Sequence, residues 1–178
     1  VGELGYELYV PTEFAGHVYE TLWAAGQKHG IAHAGYRAID SCRMEKGYLY
    51  WSGDISPDYN PYEAGLGFCV ALDKGDFIGR EALAAIKSEG VSRKLCTFTL
   101  DGFAPFHGGE AILFDGRLVG STTSTGFGHS LRKTIAFGYL PATIAGERRF
   151  QIEAFGRRYD VERGPRCLYD ARMERLRG

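Results

Sequence analysis

The sequence predicts an α+β protein, with helices dominating residues 1–90 and antiparallel strands dominating residues 91–178. Three observations lead there. Apolar residues recur at helical spacing in three segments before Gly90. From Leu95 onward the period switches to alternation, in runs at 95–100, 111–114, 118–124, 134–140, 150–155 and 158–162. Asp115-Gly116, set between two apolar runs, is the strongest hairpin signal in the chain. Short strands at such regular spacing favour a small barrel or a sandwich, which removes or protects its edges.

In chain order, Gly2 and Gly5 let the opening stretch turn tightly into a short strand, with Leu8 and Val10 on one face and Glu7 and Tyr9 on the other. Glu7 is then an acid placed mid-strand, either a solvated outer-face residue or a ligand acceptor. Thr12 can cap a first helix whose apolar face is Phe14, Val18, Leu22 and Ala25; Lys28 and His29 suit its negative end and Gly30 the residue beyond. His29 and His33 have a metal-holding spacing, but Gly30 ends the helix between them and no acid or thiol lies at ligand spacing, so no metal site is expected. A second helix over 34–47 turns Ala38, Ile39 and Cys42 inward and carries Tyr36, Asp40 and Arg43 on another face. Asp40 and Arg43 read as a surface ion pair or as one wall of a ligand pocket.

Residues 48–51 form an aromatic strand, and 52–61 a loop dense in turn formers. The run 61–68 leads into an apolar strand ending near Leu72; Glu63 within it serves either a pocket or the glycine-rich bend that follows. Gly65 and Gly67 make no dinucleotide fingerprint, because Val70 stands where the third glycine belongs. A third helix over 77–86 turns Ile78, Ala82, Leu83 and Ile86 inward and stops at Gly90; residues 91–94 mark the boundary between the two parts. Beyond it Gly156-Arg157 makes a second hairpin, and the hydroxyl run Ser121 to Thr125 leaves into an exposed loop over 126–130, by turn chemistry or as a ligand cover.

Composition narrows the partner. The chain is long enough to bury a core without staples. Its 21 basic and 22 acidic residues give a net charge of −1, with arginines at 148–149, 157–158 and 172–177 scattered among acids, so no field favours nucleic acid or anionic lipid. No apolar run approaches the ~20 residues that cross a bilayer. A small-molecule partner fits better. Cys42, Cys69, Cys96 and Cys167 lie far apart with no C-x-x-C, which reads as reduced thiols of an intracellular protein rather than a zinc site or a disulfide framework. No P-loop, G-x-S-x-G or H-E-x-x-H supports phosphoryl transfer, serine hydrolysis or zinc proteolysis. The chain opens at Val1 inside a motif, which reads as a fragment of a longer polypeptide.

Several motifs line up in order: G-E-L-G-Y-E at 2–7, I-D-S-C-R-M-E-K-G at 39–47, P-Y-E-A-G-L-G-F at 61–68, D-F-I-G-R-E-A-L at 76–83, D-G-R-L-V-G-S-T-T-S-T-G-F-G-H-S-L at 115–131 and I-A-F-G-Y-L-P at 135–141. Together they resemble the aminomethyltransferase family over nearly all of the chain. Their details are similar to the folate-binding C-terminal region of dimethylglycine and sarcosine dehydrogenases more than to free-standing T-proteins of glycine cleavage. T-proteins generally read A-R-D-S-L-R-L-E-A-G, where this chain has Ile39 for the first arginine and Lys46 for the alanine, while Arg43 matches the second arginine.

The resemblance implies the second half of a mixed α/β folate-binding module over 1–90, followed by a small antiparallel β-barrel over 91–178. It implies that Glu7 faces the pterin of tetrahydrofolate, its two oxygens matching the 2-amino group and the adjacent ring N–H. Tyr6, Arg43 and Glu63 are the further pocket candidates. An upstream flavin domain, which alone would hold FAD, is expected to oxidise an N-methyl amine to an iminium, with capture on folate giving 5,10-methylenetetrahydrofolate. No catalytic residue is expected here, since the family's aspartate lies in the first half of the module. The implied compartment is the bacterial cytoplasm or the mitochondrial matrix. The alternatives are a stand-alone glycine cleavage aminomethyltransferase and a non-catalytic structural module.

Overall fold

The computed structural model describes residues 2–177. Its elements are α1 (Thr12–Gly26), α2 (Tyr36–Glu45), α3 (Arg80–Glu89), β1 (Arg93–Asp101), β2 (Ala111–Phe114), β3 (Arg117–Gly128), β4 (Lys133–Pro141), β5 (Arg149–Ala154), β6 (Arg157–Gly164) and a short α4 (Glu174–Arg177). The six strands close into an antiparallel barrel in the order β1-β4-β3-β2-β5-β6. Of the two strand architectures open to the sequence, the barrel is the one formed. β1 pairs with β4 from Arg93↔Pro141 to Asp101↔Lys133, and closure is made by a shorter ladder between β1 and β6, Thr97↔Gly164 to Thr99↔Glu162.

Both hairpins turn on two residues with positive φ, as a tight primed turn demands. Asp115 (49°) and Gly116 (75°) make the first, as expected. The second turns on Phe155 (50°) and Gly156 (71°), one residue earlier than the sequence predicted, so Arg157 already belongs to β6. Inward residues of β1, β2, β4, β5 and β6 fill the barrel: Phe98, Ile112, Leu140, Phe150, Ile152 and Val161 are all buried, and Phe98 meets Phe150 edge to face at 5.4 Å. A second, smaller cluster of Met44, Ile135 and Phe137, with Leu49, Leu95 and Leu168 against it, glues α2 to the outside of the barrel.

The helical part departs from expectation in several places. α1 forms over the predicted span, but Pro11 precedes it and Thr12 makes no side-chain cap. Its apolar face is bare, with Phe14 and Leu22 exposed. α2 is shorter than predicted and buries Met44 and Glu45 rather than Ala38 and Ile39. α3 begins at Arg80 after Gly79, leaving Ile78 fully exposed. The strands expected at 5–10, 48–51 and 66–72 are absent: the first is extended backbone without a ladder, the second leads into a tight turn closed by a lone Trp51↔Ile55 bridge, and the third is a 3-10 turn at Gly67–Cys69. β3 runs on to Gly128, so the loop expected over 126–130 is mostly strand.

The end of α2 is locked to the C-terminal segment. Glu45 takes the Ser130 N–H at 2.7 Å on its carboxylate and the Leu168 and Tyr169 N–H groups on its carbonyl. Lys46, 3% exposed, donates to the Asp170 carboxylate at 2.9 Å and to the Asp170 carbonyl at 3.1 Å. Gly47 turns with φ 70°, and a Cβ there would sit 2.1 Å from the Arg166 carbonyl oxygen, so only glycine fits.

Two predictions follow from this packing. Phe98→Ala empties the barrel centre and is expected to cost about 3–5 kcal/mol, read from denaturant unfolding. The hydrogen bond from Lys46 holds the Asp170 carboxyl below its ordinary 3.8. Burial pulls the Lys46 ammonium down, but the hydrogen bond and charge of Asp170 outweigh it and leave it raised above 10.5. The depressed Asp170 value means that its contribution is complete above about pH 4 and is lost as pH falls through the lowered value; the raised Lys46 value means that its contribution persists until pH climbs past the ordinary lysine range. Melting temperature followed from pH 6 to pH 2.5 is expected to fall less steeply in Asp170→Asn than in the unsubstituted protein.

Candidate functional site

The opening segment is extended, so Glu7 and Tyr9 lie on one side as alternation predicts, and the Tyr9 hydroxyl donates to Glu7 Oε2 at 2.9 Å. No described segment runs alongside to form a ladder with it. Glu7 is exposed, with the Tyr9 hydroxyl its hydrogen-bond donor among the described residues, and Tyr6 stands 87% exposed. The segment starts against α2: a Cβ on Gly2 would lie 2.4 Å from Cγ of the buried Lys46.

Arg43 is the centre of a network rather than a surface ion pair. It leaves α2 with Nε donating to Asp40 Oδ1 at 2.6 Å, Nη1 to the Tyr48 carbonyl at 3.2 Å and Asp54 Oδ2 at 2.9 Å, and Nη2 to Ser124 Oγ at 3.0 Å. Its guanidinium also lies 5.6 Å from the Tyr50 ring centroid. Hydrogen bonding to Tyr50 pushes the neighbouring Tyr36 phenol above its ordinary value. Of the expected helix face, Asp40 and Arg43 are joined while Tyr36 stands exposed.

Asp54 joins this face to the barrel. It sits in the turn after Tyr50, where Ser52 takes φ 67°, and it is 0% exposed. Its Oδ2 accepts the Tyr50 N–H at 2.8 Å beside Arg43, its Oδ1 accepts the Thr123 hydroxyl at 2.5 Å, and its carbonyl accepts the Tyr139 hydroxyl at 2.9 Å. Burial pushes the Tyr139 phenol well up, so it remains a donor. Asp54, Thr123, Ser124 and Tyr139 were missed in the sequence. Asp54 hides in a stretch that reads as turn chemistry, and nothing in a hydroxyl run says which hydroxyls turn toward a helix.

Glu63 is also buried, and it holds the bend. Its Oε2 accepts the Asn60 N–H at 3.1 Å and its Oε1 the Arg93 Nε at 3.1 Å. Arg93 in turn lies 4.4 Å from the Tyr59 ring, which stacks on Tyr139 at 3.8 Å. His33, expected to hold no metal, bonds the Tyr19 hydroxyl at 2.6 Å and stacks on Trp23 at 4.1 Å. The carboxylates of Asp54 and Glu63 are all committed to donors at fixed angles. Such an arrangement orients groups, whereas the carboxylate of Glu7 is exposed and takes the Tyr9 hydroxyl.

A helical segment bearing a polar face is thus tied by a buried acid to a six-stranded barrel. The comparisons with known proteins are specific. The family model of the GCVT N-terminal domain matches residues 1–74, and that of the glycine cleavage T-protein C-terminal barrel domain matches residues 93–170. The chain belongs to the glycine cleavage T-protein family of aminomethyltransferase modules. Human mitochondrial sarcosine dehydrogenase is 39% identical over the whole chain, and mouse mitochondrial dimethylglycine dehydrogenase is 40% identical over 89% of it. The chain spans only 20% and 18% of those two relatives. The crystal structure of glycine cleavage system aminomethyltransferase T from Bartonella henselae superposes with a TM-score of 0.77 at 24% identity, over 91% of this chain and 45% of that one, which establishes the shared fold.

Glu63→Ala leaves the Asn60 N–H and the Arg93 Nε–H without their acceptor, while Arg93 keeps the Asp58 carbonyl. Stability is expected to fall by about 1–3 kcal/mol in denaturant unfolding.

Proposed function

We propose that this chain is the tetrahydrofolate-holding C-terminal part of a flavin-dependent N-methylamine dehydrogenase of the dimethylglycine or sarcosine type. The observation that carries the reading is Glu7, an exposed carboxylate on an extended segment whose start is seated against α2. Two carboxylate oxygens present parallel acceptors, and the 2-amino group and ring N–H of a pterin present parallel donors, so the donor set and the residue fit. The family membership and the two dehydrogenase relatives support the same assignment.

Bound tetrahydrofolate supplies the N5 and N10 nitrogens that accept a one-carbon unit. The residues of this chain bind, orient and exclude water. Glu7 fixes the ring edge, Tyr6, on the other side of the extended segment, is a further contact for the folate, and the Arg43 network holds the α2 face rigid. Orientation of this kind is worth much of a barrier, since an iminium left free in water hydrolyses to formaldehyde. No proton transfer is assigned to this chain; the oxidation and its FAD belong to an upstream domain.

That upstream part also accounts for the surface. Leu4, Leu8, Phe14, Leu22, Ile39 and Trp51 are all exposed, apolar side chains that further sequence would cover, and the relatives extend far beyond the matched stretch. On this reading residues 1–90 complete an α/β pair with preceding sequence, residues 91–178 form the barrel domain, and the compartment is the mitochondrial matrix or a bacterial cytoplasm.

Calorimetric titration of the full-length polypeptide with 5-formyltetrahydrofolate tests the reading. Glu7→Gln is expected to weaken binding by about 1.5–3 kcal/mol, the loss of a hydrogen bond to a charged group. Unchanged affinity would remove Glu7 from the site.

A further inference from the structure

Arg43 has five N–H donors, and four are spent on Asp40, Tyr48, Asp54 and Ser124. One N–H on Nη2 has no partner among the described residues. A guanidinium held so fully cannot swing to meet a ligand; it presents one donor in one direction. What sets that direction is Asp54, which grips Nη1 from a position with no solvent access.

The barrel is shaped to reach the same carboxylate. Between Thr122↔Gly138 and Thr125↔Ala136, β3 spends one more residue than β4, a bulge. Successive residues of a regular strand point to opposite faces, whereas a bulge can turn two neighbours the same way. Here the neighbours are Thr123, bonded to Asp54, and Ser124, bonded to Arg43. Asp54 thus takes donors from the helical part (Arg43 and the Tyr50 N–H) and from the barrel (Thr123 and Tyr139). Stability alone is a poor reason for this construction, because a buried ion pair is commonly no better than well-packed apolar side chains of the same volume. Fixing the direction of one remaining donor is a better one.

We infer that Asp54 is the positioning residue of the folate pocket: it sets Arg43, and through the β3 bulge sets the barrel against Arg43, so that the free Nη2–H meets the bound folate in one orientation. The inference rests on the folate reading above.

The test is a double-mutant cycle in the full-length polypeptide, titrated with 5-formyltetrahydrofolate at a temperature where every variant is folded by circular dichroism. Asp54→Asn and Arg43→Lys are each expected to weaken binding about tenfold, and the double variant no more than about threefold beyond the weaker single, because both remove one device. Thr123→Val, which takes away a single holder of Asp54, is expected to weaken binding about threefold, and it stands in if Asp54→Asn does not fold. Unchanged affinity in folded Asp54→Asn, or in folded Thr123→Val, would reduce Asp54 to a structural role. Losses that multiply in the double variant would overturn action through Arg43. Failure of the unsubstituted protein to bind would overturn the folate reading, and this inference with it.

Discussion

A carboxylate cannot be taken wholly out of water unless donors surround it, and Asp54 is wholly out of water. That requirement gathers α2 through Arg43, the following turn through the Tyr50 N–H and β3 through Thr123, while β4 joins through the Tyr139 hydroxyl on the Asp54 main-chain carbonyl. Removing any one donor leaves charge or polarity unmet at the junction of the two parts, so their relative placement is decided by hydrogen-bond geometry as much as by apolar contact. Apolar clusters tolerate sliding; a set of converging donors does not.

The segment Met44-Glu45-Lys46-Gly47 does the complementary work at the end of α2. Met44 enters the apolar cluster on the barrel wall, Glu45 satisfies N–H groups of the loop after β3 and of the C-terminal segment, and Lys46 meets Asp170. Gly47 then brings the chain against Arg166 closer than any Cβ allows. Four consecutive residues have four different buried roles. The barrel is in this way clasped from one side by α2 and the turns after it, while α1 and the opening segment keep their apolar side chains in the open.

The barrel was legible because its information is local. Alternation needs only the next residue but one, and the Asp115-Gly116 turn needs only two residues that accept positive φ. The same rule misread 5–10, 48–51 and 66–72. Alternating apolar residues report an extended chain with two faces, and a strand also needs a neighbour to take its N–H and C=O groups. Motif order proposed Glu7, Tyr6, Arg43 and Glu63 for the site, and the sequence offered Arg43 as an ion pair with Asp40 or as one wall of a pocket, with no sign of its contacts to Asp54 and Ser124. The Arg43–Asp54 contact spans 11 residues and the Arg43–Ser124 contact 81, distances over which no periodicity carries information.

By itself the sequence determined the α+β class, the six barrel strands to within a few residues, both hairpins and the family, because each depends on short-range period, turn chemistry or ordered motifs. Only the tertiary structure decided which polar side chains are buried. It placed Asp54 at no exposure and Glu63 in its bend, left Phe14 and Ile78 in solvent, and gave Thr123 and Ser124 a common task through one extra residue in β3. Burial is a property of what packs over a side chain, and that is supplied from elsewhere in the chain.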